Sequence, residues 1–111
     1  MAKRTKTLNQ IRQLAVQLFV KLRDQGIRVD MIVLFGSYAK KRQHEDSDID
    51  LCVVSRDFGK DRINEGASVN LIASRIDIRL ECITANLSDY MYKSASSPIL
   101  AEVKKHGIGI L

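Results

Sequence analysis

Apolar residues recur at Leu8, Ile11, Leu14, Ala15, Leu18, Phe19 and Leu22, in steps of three and four. That spacing predicts one face of a helix. Thr7 suits the cap at its start, and Gly26 lies just past its end. Val29 to Phe35 is short, nearly all apolar and β-branched in part, which predicts a buried strand. Gly36-Ser37 breaks it, and Tyr38 to Gln43 reads as a short helix with a basic face. Ile49 to Val54 predicts a second buried strand. The polar stretch Ser55 to Gly66 predicts a loop, and Ala67 to Ile72 a helix of poor period. Arg75 to Thr84 alternates and predicts a third strand. Ile76, Ile78, Leu80 and Cys82 face one way; Asp77, Arg79, Glu81 and Ile83 face the other. Ser88 can cap a short helix over Asp89 to Lys93. Ser97-Pro98 opens a last helix to about His106, because proline suits a first helical turn. Gly107 ends it, and Ile108 to Leu111 form an apolar tail.

This order predicts a small α/β (α+β) domain, with a mixed sheet of three to four strands flanked by helices. At 111 residues, one domain over 1–111 is expected. The hydrophobic fraction of 45% and the charged fraction of 28% exclude a mostly disordered chain. With 5% aromatic residues and no Trp, an aromatic platform for single-stranded nucleic acid is not expected. The basic start runs straight into the amphipathic segment, so neither a signal peptide nor a membrane span is predicted. Cys52 and Cys82 sit in separate apolar runs without CxxC spacing, which points to buried, reduced thiols and a cytoplasmic protein. Eighteen Lys and Arg against thirteen Asp and Glu leave a net charge of +5, a weak pointer towards phosphate-bearing partners.

The informative stretch is Gly36 to Leu51, GSYAKKRQHEDSDIDL. Asp48 and Asp50 are two apart on a predicted strand, so both carboxylates share one face. Adjacent ionised carboxylates repel, and a divalent cation relieves that repulsion; their hard oxygens suit Mg²⁺. Gly36-Ser37 lies between a strand and a predicted helix start, where backbone N–H groups and a hydroxyl can cradle phosphate. A phosphate cradle beside a carboxylate pair suits transfer chemistry at phosphorus. On the third predicted strand, Asp77 and Glu81 share a face about 13 Å apart, so only one can join the pair. His44 reads as a surface loop residue, and His106 as a favourable residue at a helix C-terminus. Lys40, Lys41 and Arg42 read as a solvated basic face, with attraction for triphosphate as the alternative. Tyr38 either stacks or packs.

Gly-Ser, ten residues, then Asp-x-Asp resembles the signature of the DNA polymerase beta-like nucleotidyltransferase superfamily, and in particular its small minimal nucleotidyltransferases. The resemblance covers about Val29 to Thr84. It implies that Gly36 and Ser37 hold the β and γ phosphates of ATP. It further implies that Asp48 and Asp50 bind two Mg²⁺ ions that promote in-line displacement of pyrophosphate. Such proteins add a third carboxylate on the next strand. The run Arg79-Leu80-Glu81-Cys82-Ile83 resembles the Arg-Ile-Glu-Pro-Ile form of that strand, with Cys82 in place of Pro, and favours Glu81 over Asp77.

Larger relatives carry a further domain for the acceptor, for which this length leaves no room. The resemblance therefore implies an acceptor on a partner protein. Minimal nucleotidyltransferases of this kind are often antitoxins that transfer AMP to a tyrosine of a small helical HEPN toxin. The alternative is a non-catalytic module that binds nucleotide or partner by contact alone. Nucleic acid is the weaker expectation, because the basic residues are scattered and no groove-reading motif is present.

Overall fold

The computed structural model describes residues 5–44 and 47–111. It begins with α1, Leu8–Asp24, closed by a reciprocal cap in which the Gln10 N–H donates to Thr7 Oγ1 and the Thr7 N–H donates to Gln10 Oε1. The first two strands are β1, Met31–Phe35, and β2, Ile49–Ser55. Helix α2, Arg62–Ile76, then crosses to β3, Leu80–Asn86. A short α3, Leu87–Tyr92, and one 3-10 turn at Ser94–Ser96 lead to α4, Pro98–His106, and to β4, Ile108–Gly109.

The sheet is mixed, in the order β3-β2-β1-β4. β1 runs antiparallel to β2 and β4, while β2 and β3 are parallel. A parallel pair needs a crossover, and α2 supplies it. Both sheet faces are covered, which is why β1 and β2 read as continuous apolar runs. On one face, Ile32, Leu34, Leu51 and Val53 pack with Ile11, Leu18, Leu22 and Val69 of α1 and α2. On the other, Val33, Phe35, Cys52, Val54 and Ala85 pack with Tyr90 and Val103 of α3 and α4. No helix among the described residues is long and apolar enough to cross a membrane.

Four local expectations are corrected. The short helix after β3 is capped not by Ser88 but by Asn86, whose side chain accepts from the Ser88 and Asp89 N–H groups, and it spans Leu87–Tyr92. Tyr38 to Gln43 forms no helix. The Lys40 N–H bonds back to the Gly36 carbonyl (3.1 Å) and the Arg42 N–H to the Ser37 carbonyl (2.8 Å), but Lys41 takes φ 56° and stops the turn from propagating. The polar stretch Ser55 to Gly66 is loop only as far as Asp61. Asp61 caps α2 by accepting from the Asn64 N–H, and Glu65 Oε1 accepts from the Gly59 N–H (2.8 Å). The third strand begins at Leu80 rather than Arg75, because Arg75 and Ile76 complete α2 and Ile78 is 89% exposed in the connection. The apolar tail contributes β4 as a fourth strand.

Candidate active site

Phe35, Asp50 and Glu81 lie in one row across β1, β2 and β3. Neighbouring strands stand about 4.8 Å apart, so the Asp50 and Glu81 backbones are immediate neighbours. Asp48 precedes β2 by one residue and is exposed, whereas Asp50 is half-buried. The alternation that sends Ile49 and Leu51 into the α1–α2 layer sends Asp50 to the opposite face, above Cys52 and Ile83. Buried Ser47 steadies the entry to β2, its hydroxyl accepting from the His44 N–H at 2.8 Å.

Gly36 follows Phe35 with φ 73°, a conformation that favours glycine. The turn is pinned from beneath by Tyr38, which is buried in the α1–α2 layer; its hydroxyl accepts from the Lys6 N–H at 3.1 Å. Tyr38 thus packs rather than stacks. Lys40 is ion-paired with Glu102 of α4, while Lys41 and Arg42 are exposed.

The three carboxylates act on one another. Burial pushes the Asp50 carboxyl up to about 6, and the charges of Glu81 and Asp48 add to that effect. The Glu81 carboxyl is raised by its hydrogen bond to Asp48, then by burial and the Asp48 charge. Asp77, the other sequence candidate, is elsewhere. It caps the end of α2, pairs with Lys6 at 3.5 Å and Arg79 at 3.8 Å, and accepts from the Arg79 N–H at 2.9 Å. The helix boundary separates it from the row that contains Glu81.

Among the described residues, no three His, Cys, Asp or Glu side chains form a ready-made metal cage. Mg²⁺ is seldom held that way; it keeps waters and takes one or two carboxylates together with substrate phosphates. An open group of mutually repelling carboxylates, with oxygen donors only, fits that requirement. One contributor was invisible in the sequence. Asn70 of α2 holds the backbone of Cys82, next to Glu81. A polar residue between buried Val69 and Ala73 was its only signal.

The sequence profile of the nucleotidyltransferase domain matches residues 10–96, and the chain belongs to that family. Among its relatives is the protein adenylyltransferase MntA of Shewanella oneidensis, 31% identical over 86 residues that span 78% of this chain and 56% of MntA. MJ0141 of Methanocaldococcus jannaschii, assigned as a protein adenylyltransferase, is 26% identical over 84 residues, 75% of this chain and 80% of its own. In fold, the chain is similar to a crystal structure assigned as a nucleotidyltransferase of Sulfolobus solfataricus, with TM-score 0.61 at 14% identity over 92% of this chain and 80% of that one. It is also similar to a chain of a toxin–antitoxin complex crystallised with AMP-PNP, with TM-score 0.56 at 24% identity over 90% of this chain and 72% of that one.

Proposed function

We propose that this nucleotidyltransferase transfers AMP from ATP to a hydroxyl of a partner protein, a tyrosine of a HEPN-type toxin, and so serves as its antitoxin. The observation that carries the reading is the row in which the Gly36 turn, Asp50 and Glu81 meet. Support for the partner comes from the relatives, one a protein adenylyltransferase and one a chain of a toxin–antitoxin complex.

In this reading Gly36 and Ser37 bind the β and γ phosphates, and Asp48, Asp50 and Glu81 hold two Mg²⁺ ions. Bound there, the ions would offset the carboxylate repulsion and the charge developing on the phosphates. The acceptor oxygen forms a bond to the α-phosphorus, the bond to the β-phosphate oxygen breaks, and pyrophosphate leaves. Glu81, on the strand beside Asp50, is the group in this reading that takes the hydroxyl proton. A contact-only antitoxin has no use for three carboxylates that repel one another.

The test incubates the protein with α-labelled ATP, Mg²⁺ and the product of the neighbouring gene. Label should move to the partner and be lost in the Asp48→Asn, Asp50→Asn double variant. Full transfer by that variant, or none by the parent, overturns the proposal.

A further inference from the structure

We propose that Asn70 is the positioning residue that keeps the Glu81 carboxylate at the site, by standing in for the strand neighbour that β3 lacks. This rests on the reading of Glu81 as a metal-binding carboxylate.

β3 is at the edge of the sheet, with β2 on one side only. In a parallel ladder, alternate residues turn both backbone groups to the same side. Cys82 turns its groups outward, towards α2. Its N–H donates to Asn70 Oδ1 at 2.9 Å, and its carbonyl accepts from Asn70 Nδ2 at 2.8 Å. Nδ2 also donates to the Gly66 carbonyl, one helical turn back, at 3.0 Å. Three bonds therefore fix the amide, and a flipped amide would set donor against donor.

A carboxamide places one donor and one acceptor side by side, as a peptide group does. Aspartate lacks the donor and leucine lacks both. Elsewhere the start of β3 is held by the Leu80 N–H on the Asp77 carbonyl (3.1 Å) and by the Ile49 N–H on the Arg79 carbonyl (2.8 Å). Ile78, just ahead, anchors nothing, being 89% exposed. The ladder to β2 along Leu80–Asn86 fixes the register of β3, but without the clamp the outward backbone groups of Cys82 lose their partners and the strand can tilt about that ladder, moving the Glu81 side chain with it. The clamp thus acts on the carboxylate through one backbone residue.

The test measures Mn²⁺ binding by electron paramagnetic resonance, with a non-hydrolysable ATP analogue, in the parent, Asn70→Leu, Glu81→Gln and the double variant. Asn70→Ser is made alongside, in case leucine does not fit beside Cys82. Amide exchange at Cys82 reports the clamp itself. Loss of a partner that orients a ligand weakens metal binding by about 10–100-fold. We expect that loss in Asn70→Leu or Asn70→Ser, with Cys82 protection gone. The double variant should bind no more weakly than Glu81→Gln alone, because Asn70 acts through Glu81. A folded Asn70 variant that loses Cys82 protection but keeps the parental Mn²⁺ affinity overturns the proposal. So does an additive double variant. Parental affinity in Glu81→Gln instead overturns the reading of Glu81, whatever Asn70 does.

Discussion

Gly36 and Asp50 share a space that a side chain on Gly36 would fill. A Cβ there would fall far inside van der Waals contact distance of Asp50 Oδ2 and 3.0 Å from its Cγ. The turn after β1 therefore touches the Asp50 carboxylate near the start of β2, and the two halves of the proposed site meet at one contact.

Gly36→Ala should damage both halves. A non-glycine residue in the left-handed region costs about 1–2 kcal/mol, and the added methyl displaces Asp50. We expect a lower midpoint in urea and a loss of AMP transfer larger than the stability loss explains. Parental transfer by the alanine variant would show that this contact is dispensable.

The carboxylate row predicts an unusual pH response. Asp50 has an ordinary value of 3.8 and is pushed up to about 6 by burial and its acidic neighbours. The folded protein therefore binds this proton more tightly than the unfolded chain. Its contribution to stability is greatest below about pH 4, declines as pH rises towards 6 and stays lost above. Asp30 and Glu102 work in the other direction. Arg56 and Lys40 hold them below their ordinary values of 3.8 and 4.5, so their contributions are lost only as pH falls through a lower window. Without metal, the melting temperature should fall between pH 4.5 and pH 6.5. Mg²⁺ should raise it mainly above pH 6, and Asp50→Asn should flatten the decline. A flat parental profile across that range would contradict this account.

Two conservative variants separate the acidic candidates. Glu81→Gln removes the proposed proton acceptor and should cost AMP transfer about 10²–10⁴-fold. Asp77→Asn keeps an oxygen for the Arg79 N–H and gives up only the pairs with Lys6 and Arg79. Its transfer rate should stay close to that of the parent. Measuring both rates on the same partner preparation decides between them, and the reverse ranking would move the third carboxylate to Asp77.

Tyr38 should separate anchoring from hydrogen bonding. Tyr38→Ala removes a buried ring from beneath the turn and should cost about 3–5 kcal/mol, as large aromatic truncations do. Tyr38→Phe loses only the bond from the Lys6 N–H, worth about 1 kcal/mol. Urea unfolding should rank them in that order, and equal losses would refute the anchoring role.

Much of this was legible in the chain. α1 shows because its buried residues Ile11, Ala15, Leu18 and Leu22 fall in steps of three and four. β1 and β2 show because both their faces are buried. α2 was half hidden, since only Val69 and Ala73 are fully buried along it, while Ile63 and Leu71 are exposed. Its cap lies inside a run of polar residues that resembles a loop. The start of β3 was misread because Ile76 and Ile78 alternate with Asp77 and Arg79 by coincidence. One ends a helix and the other faces solvent. Gly36, Ser37, Asp48 and Asp50 could be picked out from spacing because one strand connection carries them all. Glu81 was favoured over Asp77 by the resemblance of its strand, but its place beside Asp50 shows only in the β2–β3 pairing, and Asn70 required knowing which strand is the edge.

The sheet also separates the two thiols. Leu51 pairs with Cys82 and Cys52 with Ile83, so the cysteines sit on adjacent strands but in opposite core layers. Both are buried, and burial pushes both up to about 12. Little thiolate forms at neutral pH, and no bridge can close across the sheet without turning a strand over. Oxidant finds neither a thiolate to capture nor a pair of thiols to join, which leaves both cysteines redox-silent.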